Sequence, residues 1–354
     1  MAAFLVCAGH LRDTLFVPYA QAENLGFVNK VLYFLTTLGP QSVIVFFVLS
    51  GYLVGGAVLR TMQQDKWEWY PYLLRRLCRL WIVLLPALLV TLVLDVAGRC
   101  LNPDLYLQYR HNDIGATTFV GNVLFLQTIL VDVFGSNGAL WSLSYEFWYY
   151  ILFPSLAGIV YYKKPLPRIL CLLISAALIF FLTRSILELG LIWLMGAGAY
   201  FCIQNCRIPA WLGRPSVLLF LFLLLGGSFF FSKYSHNSLW GFFIIGFVFS
   251  ILVVALSLPG RGSDRYVSIA TFASDFSYTL YLTHTPLIVF TSISLLHGIR
   301  FAANPLSWGL YLVLLGLILL YSKGIWWLTE RNTDRLRRRV DGLFCWVWKS
   351  VVRA

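Results

Sequence analysis

Apolar residues run along this chain in long blocks, with polar positions gathered between them. Ten blocks stand out, at 1–10, 31–59, 76–97, 142–161, 168–184, 187–203, 214–231, 239–257, 274–297 and 306–328. A helix of about 20 apolar residues crosses the hydrocarbon layer of a bilayer, and most of these blocks have that length. The pattern predicts an all-α polytopic membrane protein with about ten transmembrane helices. It divides the chain into a membrane domain over 1–330 and a tail over 331–354, where basic residues precede apolar aromatics. Such a tail is expected to be amphipathic and to lie on the cytoplasmic membrane surface.

The first block is short. Nine helical residues reach only about 14 Å, and Arg12 and Asp13 then oppose extension into lipid. The expectation is a first helix lacking its cytoplasmic half, without the basic stretch or cleavage site of a signal peptide. Residues 11–30 and 98–117 read as outer loops. Residues 118–130 are apolar but too short to span, which suggests a re-entrant or interfacial segment. The second block contains Ser50, Gly51, Gly55 and Gly56, small residues that let another backbone or a ligand approach closely.

Composition agrees with the pattern: 59% of the 354 residues are hydrophobic and 12% charged, with a mean hydropathy of +0.77. Soluble domains carry about twice that charged fraction. The net charge of +12 would suit nucleic acid, but its distribution encodes topology. One set of loops holds Arg60, Lys66, Arg75, Arg76, Arg79, Lys163, Lys164, Arg261 and Arg265 with the basic tail; the opposite set is sparser, with Lys30, Arg99, Arg110 and Lys233 among its members. The positive-inside rule then puts both termini in the cytoplasm of a multi-pass inner-membrane protein, with membrane lipids as partners and no nucleic acid. Seven cysteines form no framework, since only Cys100 is external by this topology. Cys202 and Cys206, one helical turn apart without nearby histidines, are weak evidence for metal, and none is expected.

Candidate chemistry lies at the ends of the blocks. Glu146 sits in Trp141-Ser142-Leu143-Ser144-Tyr145-Glu146, at the mouth of the fourth block. A carboxylate facing lipid there costs on the order of 2.5 kcal/mol or more, so a functional role is the default reading. His10 closes the first block on the same side, and an imidazole and a carboxylate at similar depth are the parts of a general base and its orienting partner. Taken singly, each also fits an ordinary span end, Glu146 being favoured by the helix dipole. Arg75, Arg76 and Arg79 are spaced to share one patch of helix, and their forks suit phosphates, although topology alone also places basic residues beside a span. His284 lies near mid-membrane on a face shared with Ser277 and Tyr281, where hydroxyls could equally satisfy a buried histidine. His111, His236 and His297 fall in or beside outer loops and take no role. No HExxH, P-loop, GxSxG or dinucleotide fingerprint is present.

Over nearly its whole length the chain resembles the acyltransferase-3 family of integral membrane acyltransferases, which includes O-antigen and exopolysaccharide O-acetylases. The resemblance rests on Val-Cys-Ala-Gly-His10, Phe46-Phe47-Val48-Leu49-Ser50-Gly51, Arg75-Arg76-Leu-Cys-Arg79 leading to Pro86, Trp141 through Glu146, Ser277-Tyr278-Thr-Leu-Tyr281-Leu-Thr-His284 and Trp327-Leu-Thr-Glu330. It implies an acyl-CoA donor, usually acetyl-CoA, as co-substrate bound from the cytoplasm, with no resident cofactor, and a glycan or lipid-linked glycan acceptor. His10 would be the general base and Glu146 would orient it. Arg75, Arg76 and Arg79 would grip the donor's phosphates, and Ser50 with its glycines would line the path of the pantetheine arm. Trp141, Ser142, Ser144, Tyr281 and His284 would support the site. The family also places an arginine eleven residues before the first-helix histidine, a position that here precedes Met1. Many larger members carry an extracytoplasmic SGNH hydrolase-like domain with no counterpart in these residues, so the chain is expected to complete transfer itself or to work with a separate partner.

Three other readings stay open at this level. A flippase or transporter of lipid-linked sugars would share the bundle, although no internal repeat is visible. The same chemistry could act on a small molecule such as a macrolide or a lipid. A non-catalytic relative would only bind.

Overall fold

The computed structural model describes residues 2–23, 25–107, 113–258 and 275–352, and each of the ten apolar blocks carries a helix. The helices are α1 (Ala2–Leu15), α2 (Phe27–Thr36), α3 (Gly39–Ser50), α4 (Gly56–Gln63), α5 (Trp69–Leu101), α6 (Pro103–Leu107), α7 (Ala116–Val123) and α8 (Trp141–Tyr161). They continue with α9 (Pro165–Phe181), α10 (Arg184–Asn205), α11 (Pro215–Tyr234), α12 (Leu239–Leu256), α13 (Ser277–Phe290), α14 (Pro305–Leu328) and α15 (Thr333–Val352). Among the described residues six stretches are long and apolar enough to cross a membrane: Phe27–Gln63, Trp69–Leu101, Arg184–Asn205, Pro215–Tyr234, Leu239–Ser257 and Pro305–Gly342. This is an all-α, multi-pass membrane protein. Its outer surface is apolar, with Phe180 95% and Leu219 61% exposed, as expected where lipid is the solvent.

Several boundaries differ from the sequence expectation, each for a local reason. α1 continues past Arg12 and Asp13 to Leu15. Arg12 is buried because its charge is satisfied: Nη1 pairs with Asp13 at 2.7 Å, Nε donates to Thr36 Oγ1 at 3.3 Å, and the guanidinium lies over the Tyr33 ring. Residues 11–30 are therefore a loop only between α1 and α2, broken by a short turn at Tyr19–Gln21. The third block starts earlier, at Trp69, and its helix extends into the expected loop as far as Leu101, followed by α6. Arg110, His111, Arg261 and Arg265 lie outside the described residues, as does Met1. The tail is helical in α15 and rests on α5, with Tyr70 donating to Asp341 at 3.1 Å.

Prolines inside helices shape the interior, because each leaves the carbonyl four residues earlier without its N–H partner. Pro154 frees the Tyr150 carbonyl, which accepts from Tyr72 OH at 3.0 Å. Pro286 frees the Leu282 carbonyl, which accepts from Asn137 Nδ2 at 2.8 Å. Both repairs tie α5 or the segment before α8 to the helices that carry polar residues.

The segment after α7 is apolar yet non-helical beyond Val123, with Phe125 and Thr128 at φ +59° and +70°. Its backbone is satisfied by protein. The Phe125 carbonyl accepts from Ser144 Oγ at 2.8 Å and Trp148 Nε1 at 2.9 Å, and Val123 O accepts from Trp81 Nε1. Irregular backbone is tolerated at membrane depth when other elements bury it in this way.

Candidate active site

α1 packs against α13, and His10 Nδ1 stands 3.0 Å from His284 Nε2 with the rings stacked. The approach of α1 to α2 needs glycine at position 9, since a Cβ there would come within 2.7 Å of the Thr36 carbonyl oxygen. The hydrogen bonds determine the tautomers. His284 Nδ1 lies 2.9 Å from the Leu280 carbonyl, which can only accept, so this nitrogen donates, and in the neutral imidazole Nε2 bears the lone pair. His10 then donates from Nδ1, which leaves its own Nε2 as a free base. His284 is fully buried, whereas His10 is half-buried.

One turn back along α13, Tyr281 OH meets Ser142 Oγ at 2.6 Å, linking the histidine helix to the start of α8. Trp141 stands edge-on to Tyr145 and Phe47, and Phe46 stacks with Tyr281. One further turn down α8, Glu146 is buried. Its Oε1 accepts from Ser50 Oγ at 3.1 Å and from Tyr150 OH. Ser50 in turn accepts from Trp193 Nε1 at 3.1 Å. The charges of Arg79 and Arg76 act on Glu146, and that of Arg79 also acts on Glu330, whose Oε2 accepts from Thr279 at 2.7 Å. The Arg76 guanidinium lies over both Tyr72 and Tyr150.

The direct His10–Glu146 pairing expected from sequence does not form. Three residues of α13 (281 to 284) and four of α8 (142 to 146) separate the two levels, roughly 10 Å at 1.5 Å per residue. His284 takes the place expected for Glu146 beside His10, and Glu146 belongs with Ser50, Tyr150 and the arginines. Of the arginine trio, Arg76 lies over Tyr150 and Arg79 acts on Glu146 through its charge, while Arg75, exposed as Arg79 is, donates from Nε to the Pro71 carbonyl at 2.9 Å. Ser144 anchors the Phe125 turn rather than joining the polar group. The glycines after Ser50 serve backbone packing: they form a π-helical turn, Gly51–Gly55, and a Cβ on Gly51 would collide with the Trp193 carbonyl of α10.

Tyr72, Asn137, Tyr150 and Trp193 are the site's members that the sequence reading overlooked. Tyr150 is one turn from Glu146, and the carbonyls freed by Pro154 and Pro286 could have been anticipated, so a signal existed for three of them. Trp193 had none, because its contact depends on how α10 docks. On its other side Trp193 borders an apolar groove of about 280 Å³ between α8, α9 and α10, lined also by Tyr149, Phe153, Gly190, Leu191 and Leu194. It thus separates the polar group from the lipid-facing surface.

A membrane bundle that holds a base-forming histidine pair, a carboxylate with hydroxyl donors and a flanking arginine pair has the equipment of an intramembrane group-transfer protein. Residues 1–326 match the model of the family described as "Acyltransferase domain", and the chain belongs to this acyltransferase-3 family. Over 304 residues it is 26% identical to the O-acetyltransferase OatA of Staphylococcus aureus, in strains NCTC 8325, COL and MRSA252 alike; the match covers 72% of this chain and 46% of the relative. The chain therefore spans about half the length of these relatives. No solved structure matches it.

Proposed function

We propose that this protein is an inner-membrane O-acyltransferase that moves an acyl group, most simply acetyl, from cytoplasmic acyl-CoA to a hydroxyl of a cell-surface polysaccharide or its lipid-linked precursor. Family membership and likeness to a protein named an O-acetyltransferase support the reaction class. The observation that carries the mechanism is the tautomer chain Leu280 O, His284, His10, which leaves His10 Nε2 as an available base. In this mechanism His10 Nε2 takes the proton of the acceptor hydroxyl as its oxygen attacks the thioester carbonyl. The C–S bond then breaks, and the same proton passes to the leaving thiolate, giving an ester and free coenzyme thiol. His284 holds the base in position. Arg76 and Arg79 offer positive charge to the donor's phosphates at the cytoplasmic end, and Glu146 with Ser50 lies between them and the histidines.

The test uses membrane vesicles containing the cells' own surface glycan and acetyl-labelled acetyl-CoA, with alkali-releasable acetate in the glycan fraction as the readout. His10→Ala is expected to lower transfer by roughly 100- to 10,000-fold, the usual range for a general base, and Glu146→Ala to abolish it, both proteins still inserting in the membrane. Wild-type transfer in either variant would remove that residue from the mechanism. Absence of labelled ester with the wild-type protein would sink the function itself.

A further inference from the structure

A second carboxylate is buried inside the membrane domain. Asp95 lies on α5 and is 1% exposed. Both of its oxygens are engaged by one residue: Oδ2 accepts the Ser136 N–H at 2.7 Å, and Oδ1 accepts the Ser136 hydroxyl at 2.6 Å. The neighbouring residues fit around this clasp. Gly135 adopts φ +56°, and a Cβ there would run into Asp95 Oδ2 and Thr91. Asn137 donates to Thr91 Oγ1 at 3.3 Å, one turn below Asp95, and to the Leu282 carbonyl on α13. A single turn of Gly138–Leu140 then leads into α8, where Ser142 meets Tyr281. An ionisable side chain in a membrane segment is costly unless function retains it.

We propose that Asp95 is a positioning residue for acyl transfer. Through Ser136 and Asn137 its carboxylate sets how the start of α8 stands against α13, and hence the Ser142–Tyr281 contact next to the histidine pair. This rests on the acyl-transfer reading above. Asp95 is sixteen residues along α5 from Arg79, about 24 Å at the rise of a helix, so it acts at the histidine end without touching the donor-phosphate end.

The vesicle assay tests this with acetyl-CoA as the varied substrate and turnover expressed per folded enzyme. Asp95→Ala is expected to lower maximal turnover at least about 10-fold, since displacements of an ångström carry such costs, while the apparent KM for acetyl-CoA stays within about twofold. Asp95→Asn keeps both contacts, its oxygen accepting from the Ser136 N–H and its amide donating to the Ser136 hydroxyl, and should stay within about threefold of wild type. Ser136→Ala removes the hydroxyl contact and keeps the N–H contact, so its loss of turnover should be smaller than that of Asp95→Ala, and the double variant should be no worse than Asp95→Ala alone, the signature of two groups acting as a unit. A purely structural role would instead lower yield and melting temperature while sparing turnover per folded enzyme. Wild-type turnover in folded Asp95→Ala, or losses that multiply in the double variant, would overturn the proposal. Failure of the wild-type protein to transfer label would remove the acyl-transfer reading and this inference together, whereas an active wild type with either of the former results removes this inference alone.

Discussion

At the scale of single residues, the deciding fact is which atom of which histidine holds a proton. The Leu280 carbonyl settles it for His284, and His284 settles it for His10. The neighbour of His10, the proposed base, is the imidazole of His284 in place of the carboxylate that the sequence suggested. An orienting histidine of this kind matters more to turnover than to donor affinity. His284→Ala is therefore expected to reduce maximal acetyl transfer roughly 100-fold with little change in the apparent KM for acetyl-CoA, the arginines proposed to hold the donor being remote from it. Steady-state kinetics with labelled acetyl-CoA check this; an unchanged maximal rate would mean that His10 needs no partner.

At the scale of elements, α3 and α10 come as close as backbones allow. Gly51 lies on the Trp193 carbonyl, and reciprocally Gly196 lies on the Val48 carbonyl, so that a methyl group at either position would strike main chain. This contact brings Trp193 to Ser50 and gives Glu146 its serine neighbour. Gly196→Ala should force the helices apart, at a cost of about 1–3 kcal/mol for overpacking, and loosen the Trp193–Ser50 bond. A lower melting temperature in detergent together with altered tryptophan fluorescence is the expected result; neither change would mean that the interface yields freely. Small residues after Ser50 were legible in the sequence as a place of close approach. Which partner approaches was not, because a glycine leaves room for a ligand and for a helix alike.

For the whole molecule, the order of helices and the charge pattern make a statement about orientation. Lys163, between α8 and α9, and Lys30, in the first turn of α2, are both exposed, and the charge pattern assigns them to opposite sides of the membrane. In a background whose native cysteines are replaced, Lys30→Cys should react with an impermeant maleimide on intact cells, and Lys163→Cys only after the membrane is opened. The reverse pattern would turn the protein over and put the arginines outside, where no acyl-CoA is supplied.

The amino-acid order by itself determined that this chain forms apolar helices with polar interruptions, and it singled out Glu146 as a charge costly at the mouth of a span, His284 as a histidine near mid-membrane, His10 as an imidazole at a span end and Ser50 as a small residue at a place of close approach. These are one-dimensional properties: hydropathy, spacing and charge act along the chain, and lipid penalises an unsatisfied polar group wherever it falls. Tertiary packing decided the pairings. His284 lies 274 residues from His10, and Ser50 lies 96 from Glu146. Side chains so far apart meet only through the docking of α1 on α13 and of α3 on α8 and α10. Arg12 shows the same division at the level of a boundary. Its charge argued for ending the first helix, and only the neighbouring Asp13, Thr36 and Tyr33, brought together in space, let the helix continue.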